Sequence, residues 1–541
     1  NAFLQRIAPD FPVSHLIHGN SWLMTTSVGI EPAKTDQETE AADDARTARD
    51  WFASPKRALL APFGVGTVDQ ALLGVVAAKH FFVRHFALAG KVVIIDEVHS
   101  YDLYTGTLID KLISTLEGLG CTVIVLSATL SGRRRGQIVS QSCDPEDDTA
   151  QPYPLITGRM EGTEFAPVSA APPTSRTIQV AFVTVGAATE EAVQLARHGG
   201  TVLWICNTVD AAQQQYRKFM GLAQDSIQVG LLHSRFPFWR REELEAEWME
   251  RLGKDSKNRR GSILVATQVV EQSVDLDADL MITELAPTDM LLQRLGRLWR
   301  HERGERPLNT PRFLIIEEDR DLDTLRILKA KEIVECLGRK AKVYAPFILL
   351  RSLEVWREQS EVSIPGHIRR LIESTYEERD CEPVSWQQLA DEWFGTDSAK
   401  KMLAMRNTNL WQVALEDEEG AQTRLNEVPT VALVLCRAFT TQKAVFADQS
   451  KALLEGGGYR FATAQAIHKN LVKIPKYCFD HVTNCRAFVD YLHGEQCVGI
   501  VEEDGMVAVQ GLKKGIRVSY SDEFGLVVEK PTKRRGYEYC L

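Results

Sequence analysis

Through residue 345, short uninterrupted runs of Val, Ile and Leu alternate with stretches that read as helix. The runs include "VVIID" (92–96), "TVIVLSA" (122–128), "TVLWICN" (201–207), "ILVAT" (263–267), "LMITE" (280–284) and "FLIIEE" (313–318). A strand that is apolar along its whole length needs cover on both faces. Parallel strands joined by crossover helices meet that need, so these runs predict an α/β fold. "HLIH" (15–18), "ALLAP" (58–62), "TIQVAFVTV" (177–185) and "IQVGLLH" (227–233) extend the series.

A polar, Pro-rich stretch at 141–176 divides the runs into two groups, which predicts two parallel-sheet domains over 1–160 and 161–345. Beyond that point the pattern changes. "KVYAPFILLRSLEVWREQ" and "SWQQLADEWFG" predict a helical linker over 346–425. "TVALVLCRAF", "CVGIVEEDGMVAVQ" and "GIRVSYSDEFGLVVE" predict a small α+β accessory domain over 426–541, with "EEDG" as a hairpin turn.

A chain of 541 residues is too long for one core, which agrees with several domains. No apolar run is long enough to span a membrane. "NAFLQRIAPD" lacks the basic start and apolar centre of a signal peptide, and the scattered cysteines show neither a CxxC pair nor zinc-like spacing. These features predict a cytoplasmic protein with reduced thiols. The net charge of −10 argues against indiscriminate nucleic-acid binding but leaves room for a basic channel within one domain.

The chemistry gathers at the ends of strands, where ligands bind in open parallel sheets. "VVII" runs into Asp96 and Glu97. One carboxylate there can hold Mg²⁺ through water and the next can polarise an attacking water, although either could instead cap a following helix. "TVIVL" ends in Ser127, Ala128 and Thr129, whose hydroxyls can contact the acidic pair or simply form a turn. "ILVATQVVEQSVDLDADL" sets Thr267, Gln268 and Asp275 after a strand. "LLQRLGRLWRH" spaces Arg294, Arg297 and Arg300 three apart, as on one helix face, with Gln293 beside them.

Together and in this order, these pieces resemble motifs II, III, V and VI of the superfamily 2 helicases of DExH type. "DEVHSYD", "GTVDQALL" (66–73), "LLHSRF" (231–236), "EQSVDLDADL" and "QRLGRLWRH" resemble most the helicase core of the type I CRISPR-associated helicase–nuclease. The resemblance covers about 1–345 and makes the two predicted domains RecA-like. It implies ATP hydrolysis with Mg²⁺, with Asp96 holding the metal through water and Glu97 acting as base. It further implies nucleotide contact by Asp275, arginine fingers at Arg297 and Arg300 supported by Gln293, and coupling through His99, Ser127, Ala128 and Thr129. Contacts to single-stranded DNA are implied for Thr67, Asp69, Gln70, His233, Ser234, Arg235, Thr267 and Gln268.

Two family features are not found. The sequence holds no G-x-x-x-x-G-K-[ST] phosphate loop and no His-Asp dipeptide of the HD nuclease, whose metal ions would belong to that other domain. Because "NAFLQRI" resembles a segment just beyond motif Ia, the first RecA-like domain is expected to be incomplete at its N-terminus. The chain alone is therefore expected to be a defective ATPase. The implied partners are single-stranded DNA, the Cascade surveillance complex with its crRNA and target DNA, and the missing phosphate-loop and nuclease portion. A DExH RNA helicase is one alternative reading. A docking fragment that never closes around ATP is another.

Overall fold

In a computed structural model the chain is described at residues 14–17, 58–60, 63–98, 103–139, 153–160, 163–223, 227–256, 259–272, 274–377, 379, 381–408, 423, 428–454, 460–492 and 494–530. It divides into two compact units. One comprises residues 1–130 and 392–427, the other residues 131–391 and 428–541.

In the first unit β1 (Ser14–Ile17) pairs in parallel with β2 (Phe63–Gly66), and β3 (Val92–Ile95) pairs in parallel with β4 (Thr122–Val125). The helix Leu103–Gly118 makes the crossover between β3 and β4. It buries Tyr104, Leu108, Ile109, Leu112, Ile113 and Leu116, a stripe at helical spacing. "ALLAP" is not a strand: Ala58–Leu60 forms a 3₁₀ turn and the strand is the next segment, "FGVG". Two glycines in that segment dilute the β signal, which is why the apolar run just before it misled. Two-sided burial fails in this unit as well. Ile95 is buried, whereas Val92 is 63% exposed, Ile94 61%, Ile124 40% and Leu126 46%.

The second unit holds a seven-stranded sheet in the order β13-β7-β12-β11-β8-β10-β9. Its strands are β7 (Arg176–Val183), β8 (Thr201–Ile205), β9 (Gln228–Leu232), β10 (Ser262–Ala266), β11 (Leu280–Thr283), β12 (Arg312–Ile316) and β13 (Glu361–Ile364), preceded in the chain by a hairpin of β5 (Leu155–Met160) and β6 (Thr163–Ser169). All pairings in the large sheet are parallel except β13 with β7. β8, β10 and β11 are buried along their whole length, as the apolar runs require. Both the β5–β6 hairpin and β13 fall in segments that read as polar divider and helical linker. A hairpin rich in exposed residues and a four-residue edge strand leave little periodicity to read.

The linker helix Pro346–Arg357 buries Trp356, whose Nε1–H donates to Thr288 Oγ1 at 3.1 Å. A smaller mixed sheet follows, built on β14 (Thr430–Phe439) with β15 (Lys443–Phe446), β16 (Lys451–Leu453), β17 (Leu471–Pro475), β18 (Gln496–Val501) and β19 (Val507–Val509). The hairpin of β20 (Arg517–Ser521) and β21 (Gly525–Glu529) packs Val518, Tyr520, Leu526 and Val528 onto the same core as Val431, Leu433 and Leu435. The α/β class is thus as the sequence reads. Among the described residues no helix is long and apolar enough to cross a membrane, and every cysteine is unpaired.

Candidate active site

The first unit presents its carboxylates just past the end of β3. Leu126 N–H donates to Ile95 O at 2.8 Å, closing the β3–β4 ladder, and Asp96 and Glu97 follow. Asp96 Oδ1 accepts the N–H of Glu97 at 2.9 Å, and Glu97 has φ +56°. A side chain in this left-handed region costs about 1 kcal/mol, a strain found most often at functional sites. Both carboxylates face solvent. Val98, directly after the pair, takes a 3₁₀ conformation, so a capping role stands beside the metal-binding one.

After β4, Ser127 is half-buried, Ala128 is exposed and Thr129 is buried with no hydrogen-bond partner for its Oγ1. His99 lies outside the described residues. Thr67 stands exposed at the N-cap of the helix Val68–Leu72, and its side chain makes no capping bond. Asp69 Oδ1 accepts from Thr423 Oγ1 at 2.8 Å, and the backbone carbonyl of Gln70 accepts from Arg84 Nε at 3.1 Å.

In the second unit the arginines part company. The helix Thr288–Leu295 ends at Gly296, and Trp299 takes φ +50°. The expected single helix face therefore does not exist, because the chain turns away before Arg297. Gln293 and Arg294 lie in the helix's last turn. Arg294 is fully buried, donating to Glu271 Oε1 at 2.8 Å, Thr283 Oγ1 at 2.6 Å and Asn207 Oδ1 at 3.1 Å. Burial alone would lower the Arg294 pKa, but Glu271, Tyr344 and Glu284 together outweigh it and hold the guanidinium charged.

Arg297 donates to the carbonyls of Val270 at 3.1 Å and Glu271 at 2.6 Å. Arg300 is exposed, with its Nε 2.5 Å from Asp275 Oδ1, and His301 Nε2 is 3.2 Å from the same oxygen. Asp275, Arg297, Arg300 and His301 thus gather beyond the strand ends, while Arg294 belongs to the core beneath them.

Sequence reasoning missed what holds this loop. Asp277 is fully buried. It accepts the N–H of Arg300 at 2.8 Å and pairs with Arg259 at 2.9 Å, with Arg306 at 3.0 Å and with Arg303. Burial pushes its carboxyl up, but those three guanidiniums more than offset the push and hold it below the usual carboxylate range. Asp279 accepts from Thr201 N at 2.9 Å and from Arg306 Nη1 at 2.8 Å. The signal was present as alternation: Asp275, Asp277 and Asp279 two apart, answered by Arg300, Arg303 and Arg306 three apart.

The residues expected to follow a DNA strand divide by exposure. Ser234 is exposed and Arg235 pairs with Asp210 at 2.7 Å. His233 and Thr267 are buried, so neither offers a surface to a strand as placed. Their strands end inside the packed core, whereas the positions just after them reach the surface. Gln268 Nε2 donates to Asn207 O at 3.0 Å and to Tyr344 OH at 3.1 Å. No group of three or more metal-ligating side chains occurs among the described residues.

Known proteins resemble the chain in sequence and in fold. The family model for the C-terminal part of the CRISPR-associated nuclease/helicase Cas3 matches residues 198–303. The CRISPR-associated endonuclease/helicase Cas3 of Thermus thermophilus is 33% identical over 426 residues, covering 70% of this chain and 45% of its own length. A solved T. fusca Cas3-ATP structure superposes with a TM-score of 0.72 at 25% identity, covering 95% of this chain and 61% of that one. A chain of a CRISPR RNA-guided surveillance complex in a pre-nicking state shares the fold, with a TM-score of 0.67 at 24% identity over 95% of this chain and 64% of that one. The chain spans about half the length of its Thermus relative. The strand-end motifs, the α/β architecture and these matches converge: the chain belongs to the Cas3 family of CRISPR-associated nuclease/helicases and is a helicase portion of such a protein.

Proposed function

We propose that this chain is the motor part of a type I CRISPR interference enzyme, an ATP-driven translocase on single-stranded DNA that feeds a nuclease carried on other polypeptide. The observation that carries this reading is the Asp275–Arg300–His301 cluster beside Arg297, held on a buried arginine–aspartate network. An exposed Arg300 beside a half-buried Arg297, both fixed from behind, suits a triphosphate, whose transfer relies on positioning and charge stabilisation. Asp96 and Glu97 supply the opposite chemistry. A solvent-facing carboxylate beside the left-handed backbone of Glu97 suits Mg²⁺, which keeps several of its waters and takes one or two carboxylates besides phosphate oxygens. Mg²⁺ held there would neutralise charge on the phosphates. Glu97 would orient the attacking water, and Ser127, Ala128 and Thr129 would relay the nucleotide state.

In this reading Arg297 and Arg300 stabilise charge on the transferred phosphoryl group, with Gln293 supporting them and Asp275 orienting Arg300. Thr67, Asp69, Gln70, Ser234, Arg235 and Gln268 track the DNA backbone without reading bases, as a translocating motor requires. His233 and Thr267 act from behind as positioning residues. The absence of a phosphate-loop sequence means that hydrolysis needs a phosphate-binding element from further polypeptide. The open apolar face formed by Val92, Ile94, Ile124 and Leu126 supports that view. The family match and the fold shared with a surveillance-complex chain support Cascade, with its crRNA and bound target, as the recruiting partner.

The test is ATP hydrolysis by the chain alone and with a polypeptide carrying the phosphate loop, each with single-stranded DNA or RNA. Activity is expected only in the mixture, stimulated by DNA, and reduced roughly 1,000-fold or more by Arg300→Ala. Stimulation by RNA alone would make the chain an RNA helicase. No activity in any mixture would leave a docking fragment.

A further inference from the structure

The strand-facing loop of the second unit is built partly by the far C-terminal end of the chain. β9 ends at Leu232, and His233 follows it into the core. His233 Nδ1 accepts the N–H of Arg235 at 3.1 Å, so the ring proton sits on Nε2, which donates to the carbonyl of Phe524 at 3.1 Å. Burial and the neighbouring Arg235 charge depress the His233 pKa to about 3, which keeps this neutral tautomer in place. Phe524 belongs to the β20–β21 turn. Its carbonyl also accepts from Gln213 Nε2 at 2.9 Å, and the same amide donates to Leu526 O at 3.1 Å.

The backbone of the turn continues the clamp. Leu526 N–H donates to the carbonyl of Arg235 at 2.9 Å. Tyr216 OH donates to Glu523 Oε1 at 2.9 Å and Arg240 Nε donates to Asp522 O at 3.0 Å. The Phe524 ring meets Tyr216 edge-on at 5.2 Å, with the Arg217 guanidinium 4.9 Å from its centre. Gly525 has φ +63°, and a Cβ there would stand 2.8 Å from His233 Cε1 and 2.9 Å from Arg235 O. The turn therefore fits against the His233–Arg235 segment with no room for a side chain.

We propose that the β20–β21 turn, Asp522–Gly525, is a positioning element for the DNA-facing loop, setting Ser234 and Arg235 so that strand engagement depends on the C-terminal region. The inference rests on the reading of Ser234 and Arg235 as strand contacts. Arg235 and Arg339 share Asp210, at 2.7 Å and 2.6 Å, so the cluster keeps a net positive charge for a phosphate. The turn holds the His233 ring on one side of Ser234 and the Arg235 backbone carbonyl on the other, and leaves the Arg235 guanidinium to Asp210. It acts on where the arginine stands and makes no contact with the strand itself.

The experiment measures binding of the full chain to a fluorescein-labelled single-stranded DNA by anisotropy over a range of salt. The variants are Gly525→Ala, Phe524→Ala, Arg235→Ala and the double variant Phe524→Ala/Arg235→Ala, each checked for folding by circular dichroism. Loss of one charge-assisted contact predicts roughly tenfold weaker binding for each single variant. It also predicts a salt slope shallower by about 0.7, the value for one phosphate on a single strand. In the Arg235→Ala background, Phe524→Ala should add almost nothing, because both act through one contact. Phe524→Ala keeps the turn's backbone and remains informative if Gly525→Ala fails to fold. Independent, multiplying losses, or normal binding by folded turn variants while Arg235→Ala binds weakly, would overturn the positioning role and leave the DNA reading intact. Absence of DNA binding by the wild-type chain, or binding indifferent to Arg235→Ala, would remove both.

Discussion

β3 and β8 have nearly the same local sequence character, "VVIID" against "TVLWICN", and both pair in parallel with their neighbours. Their surroundings differ completely. Every residue of β8 is buried within the seven-stranded sheet, whereas β3 buries Ile95 and leaves Val92 and Ile94 more than half exposed. An apolar run thus encodes a strand suited to a two-sided environment, but the second layer has to come from elsewhere in the fold. Removing a Val or Ile side chain from water is worth about 1.5–3 kcal/mol. The first unit forgoes more than half of that at Val92 and Ile94 and a smaller part at Ile124 and Leu126, while the second collects it along β8, β10 and β11.

The comparison predicts where substitutions hurt. Arg294→Ala has the largest expected effect on folding. It leaves Glu271 buried without its cation, a loss of about 3–5 kcal/mol. Urea denaturation of the full chain should show the second unit's transition moving to lower concentration. Arg300→Ala, on an exposed pair, should shift it by less than about 1 kcal/mol. Equal shifts would mean that the two arginines share one role, contrary to their burial. Leu264→Ala, at a fully buried position in β10, comes next at about 2–5 kcal/mol. Ile94→Ala on the open face should cost well under half as much. If Ile94→Ala matched Leu264→Ala, that face would be covered in solution and the contrast between the units would collapse.

His233 adds a pH axis confined to the second unit. Its folded pKa of about 3 lies below the ordinary imidazole value of 6.5, so the folded state binds fewer protons than the unfolded state in that window. The stability this contributes is complete above about pH 6.5 and is lost as pH falls toward 3, at about 1.4 kcal/mol per pH unit. Thermal melts from pH 7 to pH 4 should show the decline, and His233→Gln should flatten it. An unchanged slope in that variant would assign the acid sensitivity to other groups.

What was legible in the sequence follows the same division. Long, fully buried strands announce themselves because every residue must be apolar, so β8, β10, β11 and β12 were readable to within a residue or two. β2, with Gly64 and Gly66, and the edge strand β13 were not, because their surroundings rather than their side chains make them strands. At the candidate site, Asp96, Glu97, Asp275, Arg297 and Arg300 can be read as charges placed at strand ends, the first two and Arg300 exposed and the others half-buried. The support beneath them cannot be read in that way. Asp277 and Asp279 look like two more loop carboxylates until the fold brings Arg259, Arg303 and Arg306 around them. The clamp on His233 joins residues about 290 apart in sequence, which no local pattern records.

The smallest expected effect is the most pointed test of the contrast. Val92→Thr keeps the β-branched shape of the strand and replaces one methyl with a hydroxyl. At a buried position that exchange is costly, because the hydroxyl loses water and gains no partner. At Val92, 63% exposed, the hydroxyl stays hydrated and the cost should lie within about 0.5 kcal/mol. Repeating the measurement after adding a polypeptide that carries the phosphate loop separates two outcomes. If that polypeptide packs on the open face, the same substitution becomes clearly destabilising in the mixture while remaining silent in the chain alone. If the cost stays negligible in both, the added element binds elsewhere, and the exposed apolar face is a property of this unit in its working state.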